Sequence, residues 1–115
     1  MNELAFFETE GGTVEVRVEQ ETVWLSQEQM ARIFERERSV ITKHLRNVFR
    51  DSELVEEAVC ANFAHTAADG KTYQTKFFNL DAILSVGYRV NSRRGVQFRQ
   101  WASRILKDHL TRGYT

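Results

Sequence analysis

The chain has 115 residues, 42% of them hydrophobic and 11% aromatic, with sixteen acids against sixteen bases and one cysteine. That length supports one domain around one modest core. The lone Cys60 excludes an internal disulfide and fits a reducing cytosol, and no apolar run reaches the ~20 residues that span a bilayer. There is no proline, no basic-then-apolar secretion pattern at the start and no internal repeat. The expectation is one cytoplasmic domain over 1–115 with no membrane partner.

Zero net charge conceals a segregation. Residues 1–37 carry nine acids against Arg17, Arg32 and Arg36, a balance of −6, and residues 38–50 carry four bases and no acid. Residues 51–70 then stand at −5 and residues 71–115 at +7. Fields acting over roughly a Debye length respond to these blocks rather than to their total.

The opening run LAFFETEGGTVEVRVEQETVWLS reads as strands. Glu10-Gly11-Gly12 makes a turn, since paired glycines accept positive φ. Val14, Val16 and Val18 alternate with Glu15, Arg17 and Glu19. A turn at Gln20-Glu21 leads to a third short strand, Thr22–Leu25, so a small antiparallel sheet with one wet face opens the domain.

A first helix follows, with Ser26 as N-cap, Gln29 completing a capping box and Leu25 and Met30 forming a hydrophobic staple. Its inward stripe is Met30, Ile33 and Phe34. The run ERER interrupts, and SVITKHLRNVFRD opens a second helix with Ser39 as N-cap. Ile41, Leu45, Val48 and Phe49 point inward, while Ser39, Thr42, Lys43, Arg46 and Arg50 point outward by i+3 and i+4 steps. Ala31 is small where the helices must cross closely.

Two short helices, a tight turn and a polar-then-basic outer face make a helix-turn-helix pattern. On this reading the face enters the major groove, with Arg38, Ser39, Thr42 and Lys43 at base edges and Arg46 and Arg50 at phosphates. The turn is unusual. Glu35 occupies a place that normally holds glycine, where a left-handed backbone costs ~1 kcal/mol, and Arg36 occupies one that is normally apolar. A bland amphipathic helix pair with a solvated basic face has the same pattern, and that reading stays open.

SELVEEAV reads as a short acidic helix with Ser52 as cap. CANFAHTAADGKTYQTKFF reads as a hairpin turning at Asp69-Gly70, with Phe63, Tyr73 and Phe77 alternating with polar partners. The hairpin either forms a wing, with Lys71 and Lys76 at phosphates, or simply completes the sheet. Asn79 caps the next helix, whose inner stripe is Leu80, Ile83, Leu84 and Gly87, with Gly87 allowing close packing. The last helix lines up Phe98, Trp101, Ala102, Ile105, Leu106 and His109 on one face, sets Arg93, Gln100, Arg104 and Lys107 opposite, and stops at Gly113. Arg93 and Arg94 at its start suit an anion or a phosphate. The chain reads as the front of a longer protein.

Enzymatic readings do poorly. His44, His65 and His109 are scattered, with His44 and His109 read as satisfied structural residues. Cys60 and His65 lie five steps apart on a strand, hence on opposite faces. No Cys/His metal spacing and no glycine-rich phosphate loop occur, and Asp51, Glu53, Glu56 and Glu57 read as a solvated acidic helix. The expectation is no catalytic residue, no metal, no cofactor and no small-molecule substrate.

Three runs, TVWLSQEQMARIF, VCANFAHTAADGKTYQTKFFNLDAILSVGYRVNSRRGVQFRQWA and LKDHLTRGY, resemble the N-terminal region of the RhuM family of bacterial virulence-associated proteins. HTAADGKTYQ and GYRVNSRRGVQFRQWA carry the specific part of the likeness. YRVNSRRGVQFRQWA is also similar to Bro-N-type domains of phages and large DNA viruses, which are linked to DNA binding. The resemblance implies a DNA-binding protein of pathogenicity islands, often beside restriction-modification or mobile-element genes. Glu35 departs from the family turn, where glycine commonly stands.

The combined expectation is an α+β domain with a small antiparallel sheet, a helix-turn-helix-like pair, a hairpin and two C-terminal helices. Its function is non-catalytic binding of double-stranded DNA, with a homodimer reading paired half-sites. The alternative is a protein-interaction or self-assembly module in which acidic segments of one chain meet basic segments of another.

Overall fold

The structure, a computed structural model, describes residues 3–112, the side chains of His65 and Arg112 excepted. The expected helix stop at Gly113 lies outside the described residues. In chain order come β1 (Glu3–Thr9), β2 (Gly12–Glu19), β3 (Thr22–Leu25), α1 (Gln27–Phe34), α2 (Arg38–Arg50), α3 (Glu56–Val59), β4 (Cys60–Thr66), β5 (Thr72–Asn79), α4 (Leu80–Arg89) and α5 (Arg93–Arg112). The α+β class, the antiparallel pairing and the two C-terminal helices are as expected.

The strands form one antiparallel sheet in the order β1-β2-β3-β5-β4. The hairpin β4–β5 is therefore not a separate unit. Leu25 pairs with Phe78 and Trp24 with Asn79, which welds the hairpin to the opening meander. The junction follows from burial: Leu25 and Phe78 both face the helices and are 0% and 2% exposed. Alternation then places Val14, Val16, Val18 and Val23 on the same inner face, all fully buried.

The outer face is less wet than its sequence suggests. Trp24, Phe63 and Phe77 meet edge to face, with centroids 5.6 and 5.3 Å apart. The Arg17 guanidinium lies 4.3 Å over Phe63 and is held by Glu19 at 2.9 Å.

The helices cover the inner face. Met30, Ile33 and Phe34 of α1, Ile41 and Leu45 of α2, and Phe98 and Ala102 of α5 join the sheet valines in one core. Phe49 is half-buried and stacks 6.4 Å from Phe78. Helices α4 and α5 meet at two glycines, as the Gly87 reading anticipates. A Cβ on Gly87 would lie 3.2 Å from Phe34 Cζ and 3.3 Å from the Gly95 Cα.

Helices α1, α2 and α4 end alike, with a left-handed residue that is not glycine. Glu35, Ser52 and Asn91 have φ of 54, 58 and 51°. Each is followed by a residue whose N–H returns to the helix: Arg36 to Ala31, Glu53 to Val48, and Ser92 to Gly87, at 3.0, 3.0 and 3.2 Å. These are Schellman-type ends, which satisfy carbonyls that the helix leaves unpaired.

This corrects two expectations. Ser52 does not cap an acidic helix; it closes α2, and of the run SELVEEAV only Glu56–Val59 is helical. Ser39 does not cap α2 either, because Glu37 holds that place without a side-chain bond. The chain must be helical from Arg38 for Ile41, Leu45 and Val48 to reach the core together, and that requirement outweighs a serine cap worth ~1 kcal/mol. At α1 the expected capping box forms, with Ser26 and Gln29 bonding reciprocally.

Candidate nucleic-acid interface

The α1–α2 turn is built on the two residues that look wrong for it. Glu35 takes the left-handed conformation itself, and its carboxylate receives Arg94 Nε at 2.7 Å. Arg36 stands in the usually apolar position and does not face away. Its guanidinium donates to the carbonyls of Phe34 and Glu35 at the end of α1, both at 3.2 Å, and to that of Val90 at the end of α4, at 3.1 Å. A cation at two helix C-termini replaces an apolar contact with charge-assisted bonds.

Beyond the turn, α2 turns Ile41, Leu45 and Val48 into the core and leaves Arg38, Ser39, Lys43 and Arg46 exposed. These four side chains have no hydrogen bond or ion pair among the described residues. Thr42 differs. It is half-buried, and its hydroxyl lies against Gln27 Oε1 and 3.0 Å from the Arg38 carbonyl. Arg50, at the far end, is held by Asp51 at 3.3 Å.

The acidic block after α2 binds cations from three elements. Asp51 also receives Arg89 of α4 at 3.3 Å, Glu53 receives Arg89 at 2.9 Å, and Glu56 receives Lys76 of β5 at 3.0 Å. Hydrogen bonds from Arg89 and then Arg50 hold the Asp51 carboxyl below its usual range. Ser85 and then Arg89 do the same for Glu53, and Glu56 raises Lys76. On α2 itself, burial first, and then the charges of Lys43, Arg89 and Arg36, hold His44 below its ordinary value. His44 has no hydrogen bond among the described residues, so it is not the satisfied histidine expected, whereas His109 meets Glu3 at 3.1 Å. Burial pushes the Cys60 thiol up to about 11, far from a thiolate nucleophile.

Four of the expected site residues line two separate grooves, Arg38 and Lys76 one and Arg93 and Arg94 the other, while Ser39, Thr42, Lys43, Arg46, Arg50 and Lys71 line neither. One, of about 240 Å³, brings Arg38 together with Ser26, Gln27 and Glu28 at the start of α1 and with Gln74, Thr75 and Lys76 of β5. The hairpin thus lies against the start of α2, and Lys71 precedes β5 with an exposed, unpaired ammonium among the described residues. The other groove holds Arg93 and Arg94 beside Glu8, Glu10, Glu35 and Arg36. It shares no lining residue with the first, and its acids offset its arginines. Sequence reasoning missed Arg36 as the clasp of the turn and Gln27 and Gln74 as neighbours of Arg38. Gln74 is legible in the sequence only as one of the polar residues that alternate with Tyr73 and Phe77.

No group of three or more His, Cys, Asp or Glu side chains suited to a metal ion occurs among the described residues, and no helix among them is long and apolar enough to cross a membrane. Neither the curated proteins nor the solved structures contain a match to the chain. Residues 58–115 match the family model described as Virulence protein RhuM family. The match takes in the hairpin, α4 and α5 but not the α1–α2 pair, so the family likeness rests on the second half of the chain rather than on nearly all of it. On that match, which spans half of its residues, the chain belongs to the RhuM family of virulence proteins.

Proposed function

We propose that this RhuM-family chain is a non-catalytic domain that binds double-stranded DNA through α2 and the β4–β5 hairpin. One observation carries the reading: Arg38, Ser39, Lys43 and Arg46 stand exposed and unpaired on one face of α2, while nearby cations are held by carboxylates. A cation left without a partner beside an acidic block is available to phosphate. The shared groove supports the reading, because Gln74, Thr75 and Lys76 of the hairpin line it together with Arg38 at the start of α2. Arg46 and Lys71 contact phosphates, Arg38 and Lys43 reach the groove, and paired copies read two half-sites.

The test is fluorescence anisotropy of a random-sequence duplex from low to physiological salt. The two phosphate contacts, Arg46 and Lys71, give a log–log salt slope of about −2 for each bound copy. No binding at low salt refutes the reading.

The alternative, a protein-interaction module, draws on Leu4 and Phe6, each 53% exposed on the edge strand β1 within the acidic N-terminal block. Arg46→Glu separates the two. It abolishes duplex affinity and spares oligomeric state on the DNA reading, and does the reverse on the other.

A further inference from the structure

The groove between α2 and the hairpin offers a phosphate little net charge, because Glu28 and Glu56 offset its two cations, and it has the right chemistry for a base edge. Glu28 lies in its wall, and a carboxylate there opposes the DNA backbone. Lys76, expected at a phosphate, is already held by Glu56 at 3.0 Å. What remains is one free guanidinium, Arg38, and two amides, Gln27 and Gln74. Base edges present donors and acceptors without net charge: arginine suits guanine O6 and N7, glutamine suits adenine N6 and N7, and glutamate accepts from cytosine N4.

Gln74 is the best placed of the amides. It lies on the same row of β5 as Lys76 and Phe78, so it faces the helix side of the sheet. Its cross-strand partner is Ala64, which leaves the amide uncrowded. It is exposed, and its side chain has no hydrogen bond among the described residues. Gln27, by contrast, has its Oε1 against the Thr42 hydroxyl.

We propose that Gln74 is a base-reading residue that works beside Arg38 in this groove. The proposal rests on the DNA-binding reading and adds a specificity determinant from the hairpin.

The experiment is site selection from a randomised duplex pool by wild type, Gln74→Ala, Gln74→Glu and Arg38→Ala, with anisotropy on a random-sequence duplex and a thermal melt for each. Wild type discriminates by about ten-fold at a position that Gln74→Ala flattens, and the random-duplex affinity of that variant stays within about two-fold. Gln74→Glu moves the preference toward cytosine at the same position. Arg38→Ala flattens a neighbouring position and changes the salt slope by less than Arg46→Ala does. Base frequencies that Gln74→Ala and Gln74→Glu both leave unchanged overturn the proposal. A wild type that binds duplex without any base preference overturns it too and leaves the DNA reading standing. A wild type that binds no duplex overturns both.

Discussion

Replacing Glu35 by glycine separates two opposing contributions at the α1–α2 turn. Glu35 is held at φ 54°, ψ 50°, and a left-handed backbone costs a residue with a Cβ about 1–2 kcal/mol. Glycine removes that cost and returns about 0.4–1 kcal/mol through its larger unfolded-state entropy. The substitution also deletes the pair with Arg94, whose partners are 60% and 17% exposed on the Glu35 and Arg94 sides. Screening on the Glu35 side limits that pair to about 0.5 kcal/mol. Glu35→Gly is therefore close to neutral, within about 0.5 kcal/mol of wild type in urea unfolding. Glu35→Gln keeps the strain and loses the pair, so it destabilises by about 0.5 kcal/mol. Ser52→Gly is the control: its φ is 58° and its exposed side chain has no partner among the described residues, so it stabilises by about 0.5–1 kcal/mol, roughly 2–4 °C in melting temperature. A Glu35→Gly that unfolds more easily than Glu35→Gln refutes the reasoning, because removing the strain would then have gained nothing.

Gly87→Ala meets Phe34 at 3.2 Å and the Gly95 backbone at 3.3 Å; it destabilises by about 1–3 kcal/mol in the same assay, while Gly95→Ala, with its nearest contact at 3.5 Å, stays near neutral. His44 lies below its ordinary 6.5 in the fold, so the unfolded chain takes up a proton first as pH falls through that value. Its stabilisation is complete above about pH 6.5 and declines below it, and His44→Gln flattens the decline in urea midpoints measured between about pH 7.5 and 5. Arg46→Ala lowers the DNA salt slope by about one, and Arg50→Ala lowers it by less because Asp51 already neutralises part of its charge; equal losses refute the assignment of Arg46 as the free cation.

Much of the architecture was legible because its signals are local. The capping box of Ser26 and Gln29 spans three residues, and the valine alternation of β2 needs only its own strand. The inward stripe of α2 follows from the 3.6 period, and with it the outward face carrying Arg38, Lys43 and Arg46. Helix ends were less legible. Ser39 and Ser52 have the chemistry of caps, but where a helix starts and stops is decided by how its stripe meets the rest of the core.

By itself, then, the chain's pattern of apolar spacing, turn residues and charge determined which segments become strands and helices, and that a basic face lies outward on α2. Which of those charges is free was decided only by tertiary structure. Lys76 is neutralised by Glu56 from 20 residues away and Arg94 by Glu35 from 59, while Arg36 reaches Val90 across 54. The union of the hairpin with the meander, which sets Gln74 beside Arg38, depends on Leu25 and Phe78 meeting in the core. Periodicity describes one element's faces, whereas ion pairs and grooves depend on which faces burial brings together, and that is a property of the packed whole.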